Sequence, residues 1–249
     1  MSQRIAVVYE ADADFRTGTE LADRVLVEAI DWLDADLITH QREWIGEVAE
    51  DRLTWTSIPR LALAAKVRAT GHFEGESGHA DARAARRAIR YLAEQFPNLA
   101  AIVLLRDQDD QPERRLGLEQ ARSEHHGSPQ VIIGLAVVER EAWVIAGFEP
   151  QDAGEQDRLD VERQRLGFNP CERSYELTAG KDDTAKRSPK RVLRAMTGGH
   201  YDRERHCWNN TPLALLRERG TENGLVAFLD EVRTHLAPLI GHVPGRIES

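Results

Sequence analysis

Three short runs of apolar, β-branched residues interrupt a chain whose remaining apolar positions mostly recur at helical spacing. Ile5-Ala6-Val7-Val8-Tyr9, Ala100-Ala101-Ile102-Val103-Leu104-Leu105 and Val131 to Val138 each have the length and continuity of a strand buried on both faces. Between them the period changes. Leu21, Val25, Ala29 and Leu33 recur every four residues, with Ala22, Leu26 and Ile30 beside them. This predicts an amphipathic helix, with Asp14 or Thr17 as its cap. From His79 to Phe96 the positions Ala84, Ile89, Leu92 and Phe96 predict a second helix, stopped by Pro97, and a polar helix is expected over about 112–125 before Gly127 and Pro129. The third strand runs directly into Glu139-Arg140-Glu141-Ala142-Trp143-Val144-Ile145-Ala146, a helix start. Strands alternating with helices imply parallel crossovers, so the fold class is α/β, a parallel sheet flanked by helices.

Other stretches are less regular. Ala35 to Thr39 predicts a strand, Trp44, Ile45 and Val48 a helical turn or two, and Leu61 to Val67, after Pro59, a helix. The segment Gly71-His72-Phe73-Glu74-Gly75-Glu76-Ser77-Gly78 is glycine-rich and polar, hence a loop. After Gly147 the chain is mostly charged to residue 187, with one helix near 156–166. Another helix opens at Pro189 and breaks at Gly198-Gly199, and an amphipathic helix over 223–239 (Leu225, Phe228, Leu229, Val232, Leu236) follows. The expected organisation is an α/β core over 1–147, with an insertion at about 35–80, and a helical C-terminal extension over 148–249 packed on that core.

Composition narrows the class. The 249 residues are 41% hydrophobic and 30% charged, too apolar for a disordered chain. No apolar run approaches the roughly 18–20 residues of a membrane helix. Met1-Ser2-Gln3-Arg4 leads straight into the first strand without a signal-peptide core. Two cysteines, Cys171 and Cys207, make no disulfide framework. A cytoplasmic location without membrane association is expected. The net charge of −9 argues against a surface coated for non-specific duplex binding. It is unevenly spread: residues 1–60 hold 6 basic and 13 acidic residues, whereas 181–206 hold 8 basic and 4 acidic. An acidic front and a basic stripe suit a carboxylate-held metal beside a phosphate-binding patch; solvated surface is the alternative.

In an open parallel sheet, sites lie at the carboxyl ends of the strands. Here all three strands end in carboxylates: Glu10, with Asp14 one turn later; Asp107 and Asp109; Glu139 and Glu141. Packed together, like charges repel and raise each other's pKa unless a cation neutralises them. Hard oxygen ligands at this density suit Mg²⁺ or Mn²⁺, ions that serve phosphodiester chemistry. Any one such residue could equally cap a helix; the set of three strand ends carries the argument. No Gly-Lys-Ser/Thr follows the glycines at 71–78, which argues against intrinsic ATPase activity. His200, His206, Cys171 and Cys207 lack paired zinc-ligand spacing.

The order strand–Glu10-Ala11-Asp12-Ala13-Asp14–helix, then strand–Asp107-Gln108-Asp109, resembles the Toprim (topoisomerase–primase) domain. It is most similar to small stand-alone bacterial Toprim proteins related to the nuclease half of the overcoming-lysogenization-defect (OLD) family. Val137-Val138-Glu139-Arg140-Glu141-Ala142-Trp143 matches the Glu-x-Glu-Ala-Trp-like segment of those proteins, and Ser188-Pro189-Lys190-Arg191-Val192-Leu193 their Pro-Lys helix start. Ala11 departs from the family, which has glycine there. The resemblance implies a Mg²⁺- or Mn²⁺-dependent nuclease cleaving DNA or RNA. It further implies a role in bacterial defence against phage or mobile DNA, beside a partner ATPase, and leaves a homo-oligomer open. By position, Asp107 and Asp109 would hold metal. Glu10 would be the general base or acid, or bind a second ion with Asp14, and Glu139 or Glu141 would ligate metal or orient a ligand. Lys190, or Lys186 in its stead, would stabilise charge at the scissile phosphate. Lys186, Arg187, Lys190, Arg191 and Arg194 form the expected nucleic-acid contact. A silent Toprim module binding nucleic acid or the ATPase is the alternative, motivated by Ala11 and the acidity.

Overall fold

Strand β1 (Gln3–Val8) is buried over Ile5 to Val8 and pairs in parallel with β2 (Arg42–Ile45) on one side and β5 (Leu99–Asp107) on the other. The registers run Gln3 opposite Arg42 to Ala6 opposite Ile45, and Ile5 opposite Ala101 to Val8 opposite Leu104. With β6 (Gln130–Ala136) the order is β2-β1-β5-β6. This is the expected parallel α/β sheet, with its apolar runs in the central strands. The computed structural model describes residues 2–47, 52–73, 75–180 and 182–244; Val48 and Glu74, named above, lie outside them.

Helix α1 (Asp12–Ala29) follows β1 and buries Leu21, Ala22, Val25, Leu26 and Ala29, the predicted stripe. Its start differs from the expectation. Ala11 is the cap, and Asp14, three residues in, accepts the Ala11 N–H at 2.7 Å; Thr17 is buried inside the helix. Residues 35–45 also differ. A short helix α2 (Ile38–Gln41) replaces the expected strand, and β2 replaces the expected helical turn. The cause is tertiary: Asp23 of α1 takes Arg42 in a paired bond (2.8 and 2.6 Å) and the Trp44 indole N–H at 3.2 Å, which fixes an edge strand of ordinary polarity. Helix α3 (Ile58–Ala64) has Pro59 in its first turn, as expected. The glycine-rich stretch is not all loop: β3 (His72–Phe73) and β4 (Glu76–Ser77) pair antiparallel.

Helices α4 (Ala82–Gln95) and α5 (Arg114–Ser123) pack on each other, with Gly117 where α5 meets Ala80. A Cβ at Gly117 would lie 1.8 Å from the Ala80 carbonyl oxygen, so only glycine permits this approach. The remaining helices are α6 (Arg140–Ala146), α7 (Ala153–Leu166), α8 (Pro189–Thr197), α9 (Tyr201–Asn209), α10 (Leu213–Arg219), α11 (Leu225–Glu231) and α12 (Ala237–Ile240). A π-helical turn, Val232–Leu236, lies before α12 within the predicted last helix. No described helix is long and apolar enough to cross a membrane.

By contacts the chain forms two compact units. Unit 1 comprises residues 1–106, 111–134 and 228–249; unit 2 comprises 107–110 and 135–227. In unit 1, α3 packs on α4, and α1 packs on the π-helical turn and α12. In unit 2, α6 packs on α8 and α9, and α7 on α8. Bidentate ion pairs tie these helices: Arg191 of α8 to Glu162 of α7 (2.7 and 2.6 Å), and Arg203 of α9 to Glu155 of α7 (2.7 and 2.8 Å).

Candidate functional site

In unit 2 the ends of two strands are locked together. The Gln108 N–H donates to the Ala136 carbonyl at 2.8 Å, and the Asp109 N–H to the Val138 carbonyl at 3.0 Å. Both turns use left-handed backbone without glycine: φ is 48° at Asp109 and 75° at Val138. Aspartate tolerates this region, but a β-branched valine there is strained. Strain of this kind persists only where the surroundings enforce it. The enforcing group is Asn223, fully buried, whose carbonyl accepts the Val137 N–H (2.9 Å) and the Trp143 indole N–H (2.8 Å). Its side-chain amide donates to Ala142 O and Ser174 Oγ (3.2 and 2.9 Å). Gly224, at φ 84°, completes the device, since a Cβ there would lie 2.2 Å from the Leu135 carbonyl oxygen.

This turn delivers Glu139 to the start of α6 and brings four predicted residues into one neighbourhood. The Arg140 N–H donates to Asp107 Oδ1 at 2.8 Å, and the Arg140 guanidinium pairs with Glu141 at 3.1 Å. Lys190, in the first turn of α8, places Nζ 3.5 Å from Glu139 and 3.6 Å from Asp183. Ser188 caps that helix by accepting the Arg191 N–H at 3.3 Å, and Pro189 opens it. Burial raises the Glu139 carboxyl above its usual range; Lys190 opposes this, while the charges of Glu141 and Asp109 add to it. Burial works against the Lys190 charge, but Glu139, Glu141 and Asp183 together outweigh it and raise the ammonium.

Sequence reasoning missed several partners. Glu204 of α9 lies 3.8 Å from Arg140, and its carboxyl is raised, first by burial and then by Glu141 against the pull of Arg140 and Arg194. It was hidden in a stretch read only for net positive charge. Arg140 lies inside the Glu-x-Glu segment, where the variable middle position gave no signal. Asp183 and Asn223 had none either.

Glu10 and Asp14 belong to unit 1. Glu10 pairs with Arg106 at 3.1 Å; the same guanidinium donates to Asp81 at 2.9 Å and sits 5.1 Å from the Trp55 ring. Asp14 makes the helix-start bond described above.

The basic stripe divides. Lys186, Arg187 and Arg194 are exposed, Lys190 faces Glu139, and Arg191 is held by Glu162, so Arg191 is a structural cation rather than a surface contact. Trp143 is core, as is the Cys207-Trp208 pair. Burial pushes the Cys171 and Cys207 thiols up to about 12, which keeps them protonated at neutral pH.

The donor chemistry of unit 2 fits a hard divalent cation. Asp107, Asp109, Glu139 and Glu141 supply oxygen only, and Glu139 is a buried carboxyl raised by burial and by its like-charged neighbours against the opposing pull of Lys190. No protein-family model, curated protein or solved structure matches the chain.

Proposed function

We propose that the protein is a divalent-metal-dependent nuclease that hydrolyses phosphodiester bonds of DNA or RNA. The observation that carries this reading is the unit 2 cluster, in which Lys190 Nζ lies 3.5 Å from a buried Glu139 whose carboxyl is further raised by Glu141 and Asp109. Asp107, Asp109, Glu139 and Glu141 would hold Mg²⁺ or Mn²⁺. The ion supplies Lewis-acid activation of the phosphate. Lys190 holds a proton-bearing cation beside the cluster, ready to stabilise negative charge that grows on the phosphate oxygens in the transition state. Arg140 fixes the carboxylates: its backbone orients Asp107 and its guanidinium orients Glu141. Exposed Lys186, Arg187 and Arg194 would contact the backbone of the polymer.

The similarity to Toprim proteins described above supports the same chemistry and implies for Glu10 the role of general base or acid, or of second-ion ligand with Asp14. It also suggests a cytoplasmic role in defence against phage or mobile DNA, with a partner ATPase. The Glu10–Arg106 ion pair favours a second reading, a silent Toprim-like module that binds nucleic acid or that ATPase, because the pair occupies the carboxylate expected to accept a proton. One experiment separates the two. Plasmid, single-stranded DNA and structured RNA are incubated with Mg²⁺, Mn²⁺ or EDTA, using wild type and the variants Asp107→Ala, Lys190→Ala and Glu10→Ala. Metal-dependent cleavage that is lost in Asp107→Ala and falls in Lys190→Ala supports the nuclease. Binding without cleavage under every condition supports the silent module.

A further inference from the structure

Unit 1 carries a cleft of about 450 Å³ that plays no part in the chemistry above. Its volume lies within the range of small-ligand sites, roughly 300–1,000 Å³. Buried Ile89 and Ala121 give it an apolar lining, and Arg86 and Arg90 set two guanidiniums against the one carboxylate of Glu124.

Arg86 is the unusual member. The residue is only 9% exposed, and its guanidinium lies 3.5 Å from the Phe73 ring centroid, so the ring covers one face. Nη1 is saturated by Thr70 O (3.0 Å), Thr70 Oγ1 (2.7 Å) and His72 O (2.8 Å), and Nη2 pairs with the Glu124 carboxylate. Nε is buried too, yet has no hydrogen-bond partner among the described residues. A buried donor without an acceptor is costly, and such groups mark places where a further acceptor belongs. Nε is closed off by that burial, so what Arg86 offers a ligand in the cleft it lines is its guanidinium plane, which stacks well on flat rings. One turn along α4, Arg90 is half-exposed and reaches Glu94 only at 3.9 Å, a pair too weak to hold it from a better anion. His125 donates Nε2–H to the Pro129 carbonyl at 3.0 Å, which fixes its tautomer.

We propose that this cleft binds a small phosphorylated molecule with a planar ring, of the mononucleotide class. The ring lies over Ile89 and Ala121 against Arg86, and the phosphate meets Arg90 at the rim. This inference is independent of the nuclease reading, because every residue it uses belongs to unit 1.

Isothermal titration of the full chain with AMP, UMP, adenosine and inorganic phosphate tests it. Both nucleotides should bind at submillimolar concentration, with adenosine and phosphate each weaker by about tenfold or more. Arg90→Gln should weaken AMP by about tenfold without changing the melting temperature of the free protein, and Lys190→Ala should leave AMP binding unchanged. The proposal is overturned if neither nucleotide binds, or if phosphate or adenosine alone binds as tightly as AMP. AMP binding that survives Arg90→Gln or is lost in Lys190→Ala also overturns it.

Discussion

At the scale of single residues, Lys190 and Glu139 carry the proposed chemistry and are best tested as a pair. The Lys190 side chain is 42% exposed and that of Glu139 is 8% exposed, so their ion pair adds little to folding, while their effect on a phosphate transition state is concentrated at one point. Lys190→Met should therefore lower cleavage by about a hundredfold or more, with a stability loss of no more than about 1 kcal/mol. If the two act as one unit, adding Glu139→Gln should reduce the rate far less than the product of the single losses, which a double-mutant cycle of single-turnover rates would show. Asp14 is a different case, because its carboxylate has a visible structural task. Glutamate is the residue a capping box favours at that third position. Asp14→Glu should hold stability within about 0.5 kcal/mol, and Asp14→Ala should lose about 0.5–1 kcal/mol in urea denaturation. An activity loss in Asp14→Glu without a stability loss would assign Asp14 a chemical role as well.

At the scale of elements, close approaches decide more than propensity does. Alanine would favour helix α5 over glycine by about 1 kcal/mol at an open position. At Gly117 its Cβ would meet the Ala80 carbonyl oxygen at 1.8 Å and the Ala82 nitrogen at 2.8 Å, both backbone atoms that cannot swing away. Gly117→Ala should thus cost about 3 kcal/mol or more, read as a lowered urea midpoint with unchanged slope. The same contrast explains what was legible in the sequence. The runs forming β1, β5 and β6 are apolar throughout because both their faces are buried, and the stripe of α1 repeats cleanly. Strand β2 is an edge, with only intermediate to exposed residues; its apolar Trp44 and Ile45 fit either period, and the choice is made by Asp23, remote in sequence. Helices α9 and α10 bury only Cys207, Trp208 and Leu216, too few apolar positions to show a period. The place of Asp107 at the end of β5 was readable, because the apolar run stops two residues before it. The strained Val138 and its support by Asn223 were not, because a left-handed valine has no sequence signature.

Across the whole molecule, charge is spent on internal order before it is offered to a partner. Glu155 accepts two hydrogen bonds from Arg203 and one from the Gln151 N–H, and these hold its carboxyl below the usual range against the opposing effect of burial. A lowered folded pKa means stability that is complete above the unfolded value, near 4.5, and lost as pH falls through the folded value. Glu155→Gln should therefore cost about 2–4 kcal/mol at neutral pH, and the gap from wild type should narrow steadily below about pH 4.5. The stripe of five cations over 186–194 follows the same logic. Arg191 is committed to Glu162 and Lys190 to Glu139, which leaves Lys186, Arg187 and Arg194 exposed. A net charge of −9 disfavours a polyanion on the whole, so attraction has to come from a local patch such as this one. If nucleic acid binds through this stripe, three phosphates are neutralised, and the logarithm of affinity for duplex DNA should fall with the logarithm of salt at a slope of about −3. Fluorescence anisotropy in EDTA, from low to physiological salt, measures that slope. A triple substitution of Lys186, Arg187 and Arg194 by glutamine should bring it close to zero, whereas Arg191→Gln should lower the melting temperature and leave the slope as it was. A slope near −5 in the wild type would mean instead that the stripe opens its internal pairs to bind.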